Sequence, residues 1–592
     1  MCGIVGYVGK NCAKDVLIDG LKKLEYRGYD SSGIAYIYNN DIEIVKEKGK
    51  VCELEKKIDF KKKSNIGIAH TRWATHGVPN SINAHPHRCE KITLVHNGII
   101  ENYEEIKKDL EKDYKFLSDT DTEVVAVLLN DIYKKEKDMV NSILKLKKKL
   151  RGSYALAIIC SDEQDKIYAL RKDSPLIVAE SKDSSYLASD VPAILNYTNK
   201  YYLIEENELA ILEQNKITFL NDNKEEVKKE VNEFIGDKNT AEKNGYSHFM
   251  LKEINEEENI IINLYKEYNT LQKILNNFKD LKKYNKIDII ACGSAYHVGM
   301  IAKYMIEQNA KIPVNVEIAS EYRYKDNFLD KDSLAIFISQ SGETADTLAS
   351  LRKVKEQHIT TLSIVNVVGS SIARESDIVI YTKAGPEIAV ATTKAFIAQI
   401  TIIIFLTLYL GYQNKTMTEE KINNVLKDFE RLDIKNLINK DYQDIAKTLK
   451  DKNDVFFLGR NIDYAIALEG SLKLKEISYI HSEAYASGEL KHGTISLIEE
   501  NTPVISILTS KKIIEKTISN IKEVKARGAY TIAITEKEYD FIDKNVIIPT
   551  YNELLMPIVA VIPLQLIAFE TAKLRGCDID KPKNLAKSVT VE

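Results

Sequence analysis

Residues 287–548 carry a strand-and-helix pattern that occurs twice. Short apolar runs that predict strands alternate with helical segments, which is typical of a doubly wound parallel sheet. Three strands recur at offsets of 166, 169 and 168 residues, namely at Gly293 and Gly459, at 362–364 and 531–533, and at 378–380 and 546–548. This spacing predicts two α/β domains related by an internal duplication. The alternative is that two unrelated α/β domains share a common strand spacing.

The first 235 residues show a different pattern. Five runs bounded by Gly, Asn or Asp predict strands, at 4–8, 33–38, 66–70, 92–96 and 154–160. Helical patterns are fewer, at 13–24, 101–111 and 122–135. Many strands with few helices predict an α+β domain with an extensive antiparallel sheet.

A polar stretch bounded by glycines, at 236–245, is the best candidate for a linker. Long charged helices are predicted from 250 to 278, before the α/β pattern begins. The predicted boundaries are an N-terminal domain at 2–235, a linker at 236–248, two α/β domains at 278–417 and 447–582, and a C-terminal tail at 583–592.

Composition excludes several classes of protein. The 592 residues are 44% hydrophobic and 29% charged, which suffices for packed cores in several domains. The net charge of −4 disfavours nucleic acid as the main ligand. Seven cysteines without CxxC or Cys/His spacing predict free thiols in a reducing compartment and no metal site.

Two apolar stretches bear on membrane insertion. Residues 395–410 are shorter than the ~20 residues that span a bilayer, and they contain Gln399, so we predict a buried helix. The stretch at 554–569 is expected to be broken by Pro557 and Pro563. The N-terminus lacks the pattern of a signal peptide. The sequence therefore predicts a cytoplasmic protein without a membrane partner.

Cys2 is the strongest candidate for a catalytic group. Removal of Met1 would leave the α-amine of Cys2 free, and such an amine has a pKa of about 7.7–8.0. It is therefore partly neutral at cytosolic pH and can take the proton of the neighbouring thiol, so that nucleophile and base belong to one residue. The alternative is an ordinary buried cysteine at the start of a strand.

Three further clusters lie beside predicted strands and helices. Arg72, in HTRWATHG at 70–77, can bind a carboxylate through two hydrogen bonds or pair with an internal Asp. Trp73, the only tryptophan, is equally consistent with a core residue. Asn97 and Gly98 can donate to an oxyanion, although Asn-Gly is also a common hairpin turn. The stretch 120–123 is typical of a helix N-cap.

Together these motifs resemble one family. CGIVGY at the N-terminus, YRGYDSSG at 26–33, HTRWATHG, NAHPH at 83–87, HNGIIEN at 96–102 and SDTDTEV at 118–124 resemble the class II glutamine amidotransferase domain, an N-terminal-nucleophile hydrolase fold. The resemblance implies that Cys2 attacks the side-chain amide of glutamine and releases ammonia, with Asn97 and Gly98 as the oxyanion hole. It also implies an ammonia gate at Trp73 and glutamine binding by Arg72, Thr75, His76 and Asp121.

The loop SQSGET at 339–344 lies between a predicted strand and a predicted helix. Hydroxyls, a glycine and a helix N-terminus at the end of a strand can bind phosphate. The Gly-Lys-Ser/Thr of a Walker A loop is missing from this sequence, so a simple phosphomonoester is favoured over a nucleotide. A polar capping loop is the alternative.

The second half resembles the sugar isomerase (SIS) family. The motifs are ACGSAYH at 291–297, SQSGET, VATTKAF at 390–396, EGSLKLKEISYIHSEAYASGELKHG at 469–493 and the tail NLAKSVTVE at 584–592. The resemblance implies sugar-phosphate contacts from Ser294, Ser339, Gln340, Ser341, Thr344, Val390, Thr392 and Ala586. Ala295 stands where the family often has a hydroxyl, so it is not included.

The same resemblance implies the groups of the second reaction. Lys587 would form an imine with the C2 carbonyl of the sugar, although composition alone favours a solvated tail lysine. Glu476 would move a proton between C1 and C2. His492 would open the sugar ring, and its donation by a neighbouring subunit is one option. Lys473, three residues before Glu476, would tune that carboxyl or act as its ion-pair partner.

The implied reaction converts fructose 6-phosphate and glutamine to glucosamine 6-phosphate and glutamate, as the first step of the hexosamine pathway. It implies a homodimer and no metal, nucleotide or organic cofactor. One rival is a class II amidotransferase with a phosphoribosyl acceptor, against which the SQSGET loop and the tail argue. Another is a sugar-phosphate-sensing regulator, which would need neither Cys2 nor Lys587 and would usually carry a DNA-binding module.

Overall fold

The structure is a computed structural model that describes residues 2–233, 242–326 and 329–590. Of the predicted linker at 236–248, only residues 242–248 are described, and Met1 also lies outside the described residues. The chain forms two compact units, Met1–Ala241 with Ala586–Glu592, and Glu242–Leu585. Each unit is described in turn.

The first unit is built on two antiparallel sheets. Its strands are β1 (Gly3–Gly9), β2 (Ser31–Tyr38), β3 (Asp41–Lys48), β4 (Ile66–Arg72), β5 (His87–Cys89), β6 (Ile92–Ile100), β7 (Gly152–Cys160), β8 (Glu163–Lys172), β9 (Ile177–Ser181), β10 (Ser184–Ala188), β11 (Lys200–Leu203), β12 (Glu208–Glu213), β13 (Lys216–Asn221) and β14 (Asn232–Glu233). One sheet has the order β14-β11-β9-β10-β1-β4-β2-β3, and the other has the order β13-β12-β8-β7-β6-β5.

Helices cover the outer faces of both sheets. They are α1 (Ala13–Leu24), α2 (Val51–Glu55), α3 (Tyr103–Leu110), α4 (Asp121–Glu136) and α5 (Met139–Lys147). Helix α1 packs on β1 and β4, whereas α4 packs on β5 and β6. An apolar cluster between the sheets includes Ile4, Ile68, Val95 and Ala157. Alternate residues of each strand thus face a helix or the opposite sheet. The predicted α+β domain with extensive antiparallel pairing is confirmed, and it is a sandwich of two sheets.

Strand β6 runs beyond the predicted segment 92–96. Asn97 and Gly98 lie inside it and pair with Ala155 and Tyr154 of β7, so the hairpin-turn interpretation of Asn-Gly is wrong. The pairing with β7 continues to Ile100, so this neighbouring strand keeps Asn97 and Gly98 extended.

The N-cap interpretation of residues 120–123 is confirmed, since the Thr120 side chain accepts a hydrogen bond from the backbone N–H of Glu123.

The second unit contains two parallel five-stranded sheets. Its elements are α6 (Phe249–Tyr268), α7 (Leu271–Asn277), β15 (Lys286–Ala291), α8 (Gly293–Asn309), β16 (Val314–Ile318), α9 (Ala319–Tyr322), β17 (Ser333–Ser339), α10 (Ala345–Glu356), β18 (Thr360–Val365), α11 (Ser371–Glu375), β19 (Ile378–Tyr381), α12 (Lys394–Gln413), α13 (Glu419–Glu430), α14 (Lys435–Ile438), α15 (Gln443–Leu449), β20 (Asp454–Gly459), α16 (Ile462–Ser478), β21 (His481–Ala486), β22 (Pro503–Leu508), α17 (Ile514–Lys525), β23 (Tyr530–Thr535), β24 (Lys544–Ile547) and α18 (Met556–Leu574).

The two sheets have the same topology. Their orders are β16-β15-β17-β18-β19 and β21-β20-β22-β23-β24, so the first strand of each copy lies second from the edge. All neighbouring strands are parallel. The two α/β domains with doubly wound parallel sheets are therefore confirmed, and their shared strand order agrees with the predicted duplication.

Among the described residues, two helices are long and apolar enough to cross a membrane, namely α12 and α18 of the second unit. Their most apolar windows are 94% and 83% buried inside the protein, as in core helices of soluble proteins. The predicted burial of 395–410 is therefore confirmed. The predicted break at Pro557 and Pro563 is wrong. Pro557 lies in the first turn, where its missing N–H is not needed. Pro563 lies inside a continuous helix most of whose side chains are buried in the core.

Candidate active sites

A small cavity in the first unit brings together most of the predicted glutamine site. The start of β1, the end of β4, strand β6 and the start of α4 supply its walls. The lining residues are Cys2, Arg72, Trp73, Thr75, His85, His96, Gly98, Thr120, Asp121 and Thr122. Residues predicted from separate motifs therefore meet at one place in the fold.

Backbone and side-chain donors hold Cys2 at this cavity. Its Sγ accepts a hydrogen bond from the backbone N–H of Trp73 at 3.2 Å. Its carbonyl oxygen accepts from Arg27 Nε and from Asn97 Nδ2, both at 3.1 Å. Burial raises the pKa of the thiol, while the Trp73 N–H, Arg72 and Arg27 act in the opposite direction. The thiol therefore needs a base beside it to become a nucleophile.

Arg72 has one free edge. Its Nη2 donates to the carbonyl of His76 and to that of Gly77, the latter at 3.1 Å, within its own loop. Its Nη1 is buried and has no hydrogen-bond partner among the described residues. The guanidinium is thus anchored by loop carbonyls. These hydrogen bonds do not pair Arg72 with an internal Asp, which was the predicted alternative. A buried unpaired donor of this kind suits a carboxylate ligand.

Asp121 lines the same cavity from the first turn of α4. Its Oδ2 accepts the backbone N–H of Ile100 at 2.9 Å and lies 3.8 Å from His96 Nδ1. The carboxylate is nearly fully buried. A carboxylate with remaining acceptor capacity and a guanidinium with one free nitrogen, both lining this cavity, can recognise the two charges of an amino acid.

The loop after β4 carries the remaining glutamine candidates. Trp73 is half-buried and packs edge-on against Tyr29 with ring centroids 6.0 Å apart, so it is not a fully buried core residue. Thr75 is exposed, and its Oγ1 lies 3.4 Å from His76 Nδ1. The His76 ring packs against Tyr103. Sequence reasoning missed His85 and His96, which lie in the NAHPH and HNGIIEN motifs and line the cavity.

In the second unit, the predicted phosphate loop follows β17 and precedes α10. The Ser339 Oγ accepts the backbone N–H of Gly342 at 3.0 Å and lies 3.0 Å from Thr344 Oγ1. Ser341 Oγ accepts the N–H of Glu343 at 3.2 Å, and Gln340 follows Ser339 directly at the strand end. The structure therefore brings four predicted residues to the N-terminus of one helix at the carboxyl edge of a parallel sheet, where anions bind.

A buried ionic network occupies one face of α16. Lys473 Nζ lies 2.6 Å from Glu476 Oε2 and 3.4 Å from Glu469 Oε1. Burial alone would lower the pKa of Lys473, but Glu476 and Glu469 raise it, so the ammonium form is stabilised. Lys473 therefore forms the predicted ion pair with Glu476. Its role in tuning Glu476 stays a prediction.

Glu469 joins this network to the first α/β domain. It accepts a hydrogen bond from Ser294 Oγ at 2.9 Å and lies 2.7 Å from His297 Nδ1. Ser294, predicted as a sugar contact, is therefore also a link between α8 and α16. Sequence reasoning missed Glu469 and His297. The signal was available, since residues 469, 473 and 476 follow the i, i+4, i+7 spacing of one helical face.

The structure does not gather every predicted residue. Val390 and Thr392 lie in the segment before α12, where the Val390 N–H donates to the carbonyl of Asp580 at 3.0 Å. His492 is exposed at the end of a short 3₁₀ helix. Ala586 and Lys587 belong to the first unit. Their roles in a sugar site stay predictions.

The chemistry of both sites is that of side chains. No group of three or more His, Cys, Asp or Glu side chains placed to hold a metal ion occurs within residues 2–233, 242–326 and 329–590. The seven cysteines are all free.

Comparison with known proteins defines the class. A model of the glutamine amidotransferase domain matches residues 70–196. A model of the SIS domain matches twice, at 280–409 and 448–575. The chain is thus a glutamine amidotransferase domain followed by two SIS domains.

Full-length relatives define the family. The glutamine–fructose-6-phosphate aminotransferase (isomerizing) of Clostridium tetani is 49% identical over the whole of both chains, and that of Thermococcus kodakarensis is 44% identical, also over the whole of both. The solved C-terminal domain of glucosamine-fructose-6-phosphate aminotransferase from Francisella tularensis is 41% identical, with a TM-score of 0.54, and covers 57% of this chain and 99% of its own. The chain belongs to the glutamine–fructose-6-phosphate aminotransferase (isomerizing) family.

Proposed function

We propose that this chain converts D-fructose 6-phosphate and L-glutamine to D-glucosamine 6-phosphate and L-glutamate, the entry step of hexosamine synthesis. The observation that carries this function is the meeting of Cys2, Arg72, Gly98 and Asp121 around one cavity. A thiol, a guanidinium with one free nitrogen, a carboxylate and an oxyanion site are what amide hydrolysis of a free amino acid needs.

In the first half-reaction, the α-amine of Cys2, freed by removal of Met1, takes the thiol proton. The sulfur attacks the amide carbon of glutamine, and the resulting oxyanion accepts hydrogen bonds from Asn97 Nδ2 and the Gly98 N–H. The C–N bond breaks as the proton passes to the leaving nitrogen, which departs as ammonia. Water then hydrolyses the γ-glutamyl thioester to glutamate.

Arg72 and Asp121 fix the orientation of glutamine. The free Nη1 of Arg72 holds the α-carboxylate, and Asp121 holds the α-ammonium, with Thr75 and His76 beside them. Trp73, next to the thiol, controls passage of ammonia out of the site. Support comes from the buried, unpartnered state of Nη1 in the described residues.

In the second half-reaction, a ketose phosphate binds at the loop after β17 through Ser339, Gln340, Ser341 and Thr344. Sugar hydroxyls contact Ser294, Val390, Thr392 and Ala586. His492 opens the ring, and Lys587 forms an imine at C2 that ammonia displaces. Glu476 then moves a proton from C1 to C2, with Lys473 as its ion-pair partner.

The assembly and location are part of the proposal. The glutaminase half corresponds to residues 2–235 and the isomerase half to residues 278–417 and 447–582. A linker at 236–248 and a tail at 583–592 complete the chain. The chain acts as a homodimer in the cytoplasm, and the burial of both apolar helices supports a location away from membranes.

Substitution of the nucleophile tests the function. Cys2→Ala is expected to abolish ammonia release from glutamine and glutamine-dependent amino-sugar formation. The same variant should form glucosamine 6-phosphate from fructose 6-phosphate when ammonium salt replaces glutamine, because the sugar site is left intact. Glutamine hydrolysis at the wild-type rate in Cys2→Ala would refute the proposal, and loss of both activities would show only misfolding, to be checked by circular dichroism.

A further inference from the structure

We propose that His70 is a positioning residue that sets the direction of the Asn97 amide in the oxyanion hole of the glutaminase site. The proposal rests on the proposed role of Asn97 and extends it to a residue that does not touch glutamine. Two contacts of one ring nitrogen carry the argument.

His70 reaches from one sheet to the other. It lies on β4, two and four residues after Ile68 and Ile66, whose side chains pack between the sheets, and alternate residues of a strand share a face. Its side chain is fully buried. Its Nε2 lies 2.9 Å from the carbonyl oxygen of His96 and 3.1 Å from Asn97 Oδ1, both on β6 of the other sheet.

These contacts define the tautomer of His70. A backbone carbonyl only accepts hydrogen bonds, so Nε2 must carry the proton. Its Nδ1 is buried and has no partner among the described residues, which agrees with an unprotonated nitrogen. Burial, with Arg72 adding to the effect, lowers the pKa of the imidazole to about 3, so it stays neutral at physiological pH. His70 is therefore a fixed donor.

A fixed donor at this place orients the Asn97 amide. The oxygen must face His70, which leaves Nδ2 directed at Cys2, where it donates to the Cys2 carbonyl at 3.1 Å. During catalysis the oxyanion competes for Nδ2, and His70 then remains as the contact that opposes rotation of the amide. A rotated amide would present its oxygen to the oxyanion and replace attraction by repulsion.

Paired amide substitutions test this role. The Nε2 of glutamine can reach the position of imidazole Nε2, whereas asparagine presents its nitrogen near the position of Nδ1. His70→Gln should keep kcat for glutamine hydrolysis within about threefold, and His70→Asn and His70→Ala should lower it about tenfold to a hundredfold. KM for glutamine should change little, because the lost interaction forms only in the transition state.

Two further measurements separate positioning from general damage. Alkylation of Cys2 by iodoacetamide passes through no oxyanion, so its rate in His70→Asn should equal that of the wild type. Ammonium-dependent amino-sugar formation should be unchanged in all variants, which shows that the SIS half is folded, while the unchanged alkylation rate reports on the first unit. Equal kcat in His70→Gln and His70→Asn, or a rise in KM at constant kcat, would overturn the proposal. Cys2-independent hydrolysis would instead refute the proposed function.

Discussion

Among single residues, Gly98 has the strictest backbone requirement. Its φ is 130°, and a Cβ there would lie 2.0 Å from the carbonyl oxygen of Ser153 and 2.8 Å from Tyr154 Cα. Because both neighbours are backbone atoms of β7, neither can move without shifting the pairing of β6. Gly98→Ala should therefore displace the oxyanion donors and lower glutamine hydrolysis by about a hundredfold or more.

A matched glycine separates collision from backbone strain. Gly49 has φ of 93°, but a Cβ there would meet nothing within 4 Å. Gly49→Ala should cost stability of about 1–2 kcal/mol through the left-handed conformation alone and leave the kinetics of glutamine hydrolysis unchanged. Equal activity of the two variants, measured by glutamate release, would contradict the role assigned to Gly98.

Glu469 is a buried carboxylate whose loss is expected to lower both stability and activity. Glu469→Gln keeps the shape but leaves Lys473 with one carboxylate partner, and disruption of a buried charge network costs about 3–5 kcal/mol. We expect a clear loss of thermal stability and at least about a tenfold loss of ammonium-dependent amino-sugar formation. Glu267→Gln is the control, since Glu267 forms an exposed pair with Lys383 and should change stability by less than about 1 kcal/mol.

The sequence allowed us to predict site residues that lie in recognisable motifs beside strands and helices. It did not reveal residues whose role depends on contacts between distant parts of the chain. Cys2, Arg72 and Asp121 were predicted and do meet. His70 was read only as the first letter of its motif, because nothing in a linear sequence tells that β4 and β6 face each other across the sandwich. The link between Ser294 and Glu469 was likewise invisible, since it joins helices 175 residues apart in the chain.

Among the elements, the strands were predictable because apolar runs between turn residues have few other structures available. Helix α18 was not predictable, since its internal proline argues against a helix by local rules. Burial of most of its side chains in the core outweighed that local cost. Strand β6 was predicted too short because local propensity was again overridden by tertiary contacts. Asn97 and Gly98 have poor strand propensity, but pairing with β7 decides their conformation.

The two SIS domains differ at one equivalent loop. After β17, serine hydroxyls accept the loop N–H groups, whereas after β22 the N–H groups of Thr509 and Ser510 donate to the buried carboxylate of Asp463, at 3.1 and 3.0 Å. The second loop is thus filled by a carboxylate of its own domain. This explains in physical terms why the sequence of the second copy lacks the SQSGET motif.

Asp463 gives a pH dependence that belongs to this loop. Burial raises its pKa to about 6, above the value of about 3.9 expected in the unfolded chain. Between these values the folded state binds more protons, so the contribution of Asp463 to stability falls as the pH rises. Relative to Asp463→Asn, the wild type should lose about 1 kcal/mol between pH 5 and pH 7.

Thermal unfolding of both proteins at the two pH values measures this difference. Asp444→Asn, at an exposed carboxylate, is the control and should show no such change. A difference between wild type and Asp463→Asn that is independent of pH, or that grows in favour of the wild type as the pH rises, would contradict the burial argument.

For the whole molecule, the glutamine cavity lies in the first compact unit and the candidate phosphate loop in the second, so each proposed half-reaction can be assayed by itself. Glutamate release reports on the first unit, and ammonium-dependent amino-sugar formation reports on the SIS half. Sequence predicted this division, since the strand pattern changes from antiparallel to alternating with helices. It could not predict whether His492 acts in its own chain or in a second copy, because a linear pattern does not distinguish contacts within a chain from contacts between copies.

Mixing two inactive variants tests both the dimer and the donation of His492. Glu476→Gln and His492→Ala should each lack amino-sugar formation as homodimers. If His492 acts on the site of the neighbouring subunit, a heterodimer has one site in which Glu476 and His492 are both intact. Random exchange of equal amounts should then restore about a quarter of wild-type activity, since half of the dimers are mixed and each has one intact site of two. Mixing Glu476→Gln with Lys473→Ala is the control, because both changes lie on α16 and no combination repairs a site. No recovery in the first mixture, when mass measurement confirms mixed dimers, would place His492 in the site of its own chain.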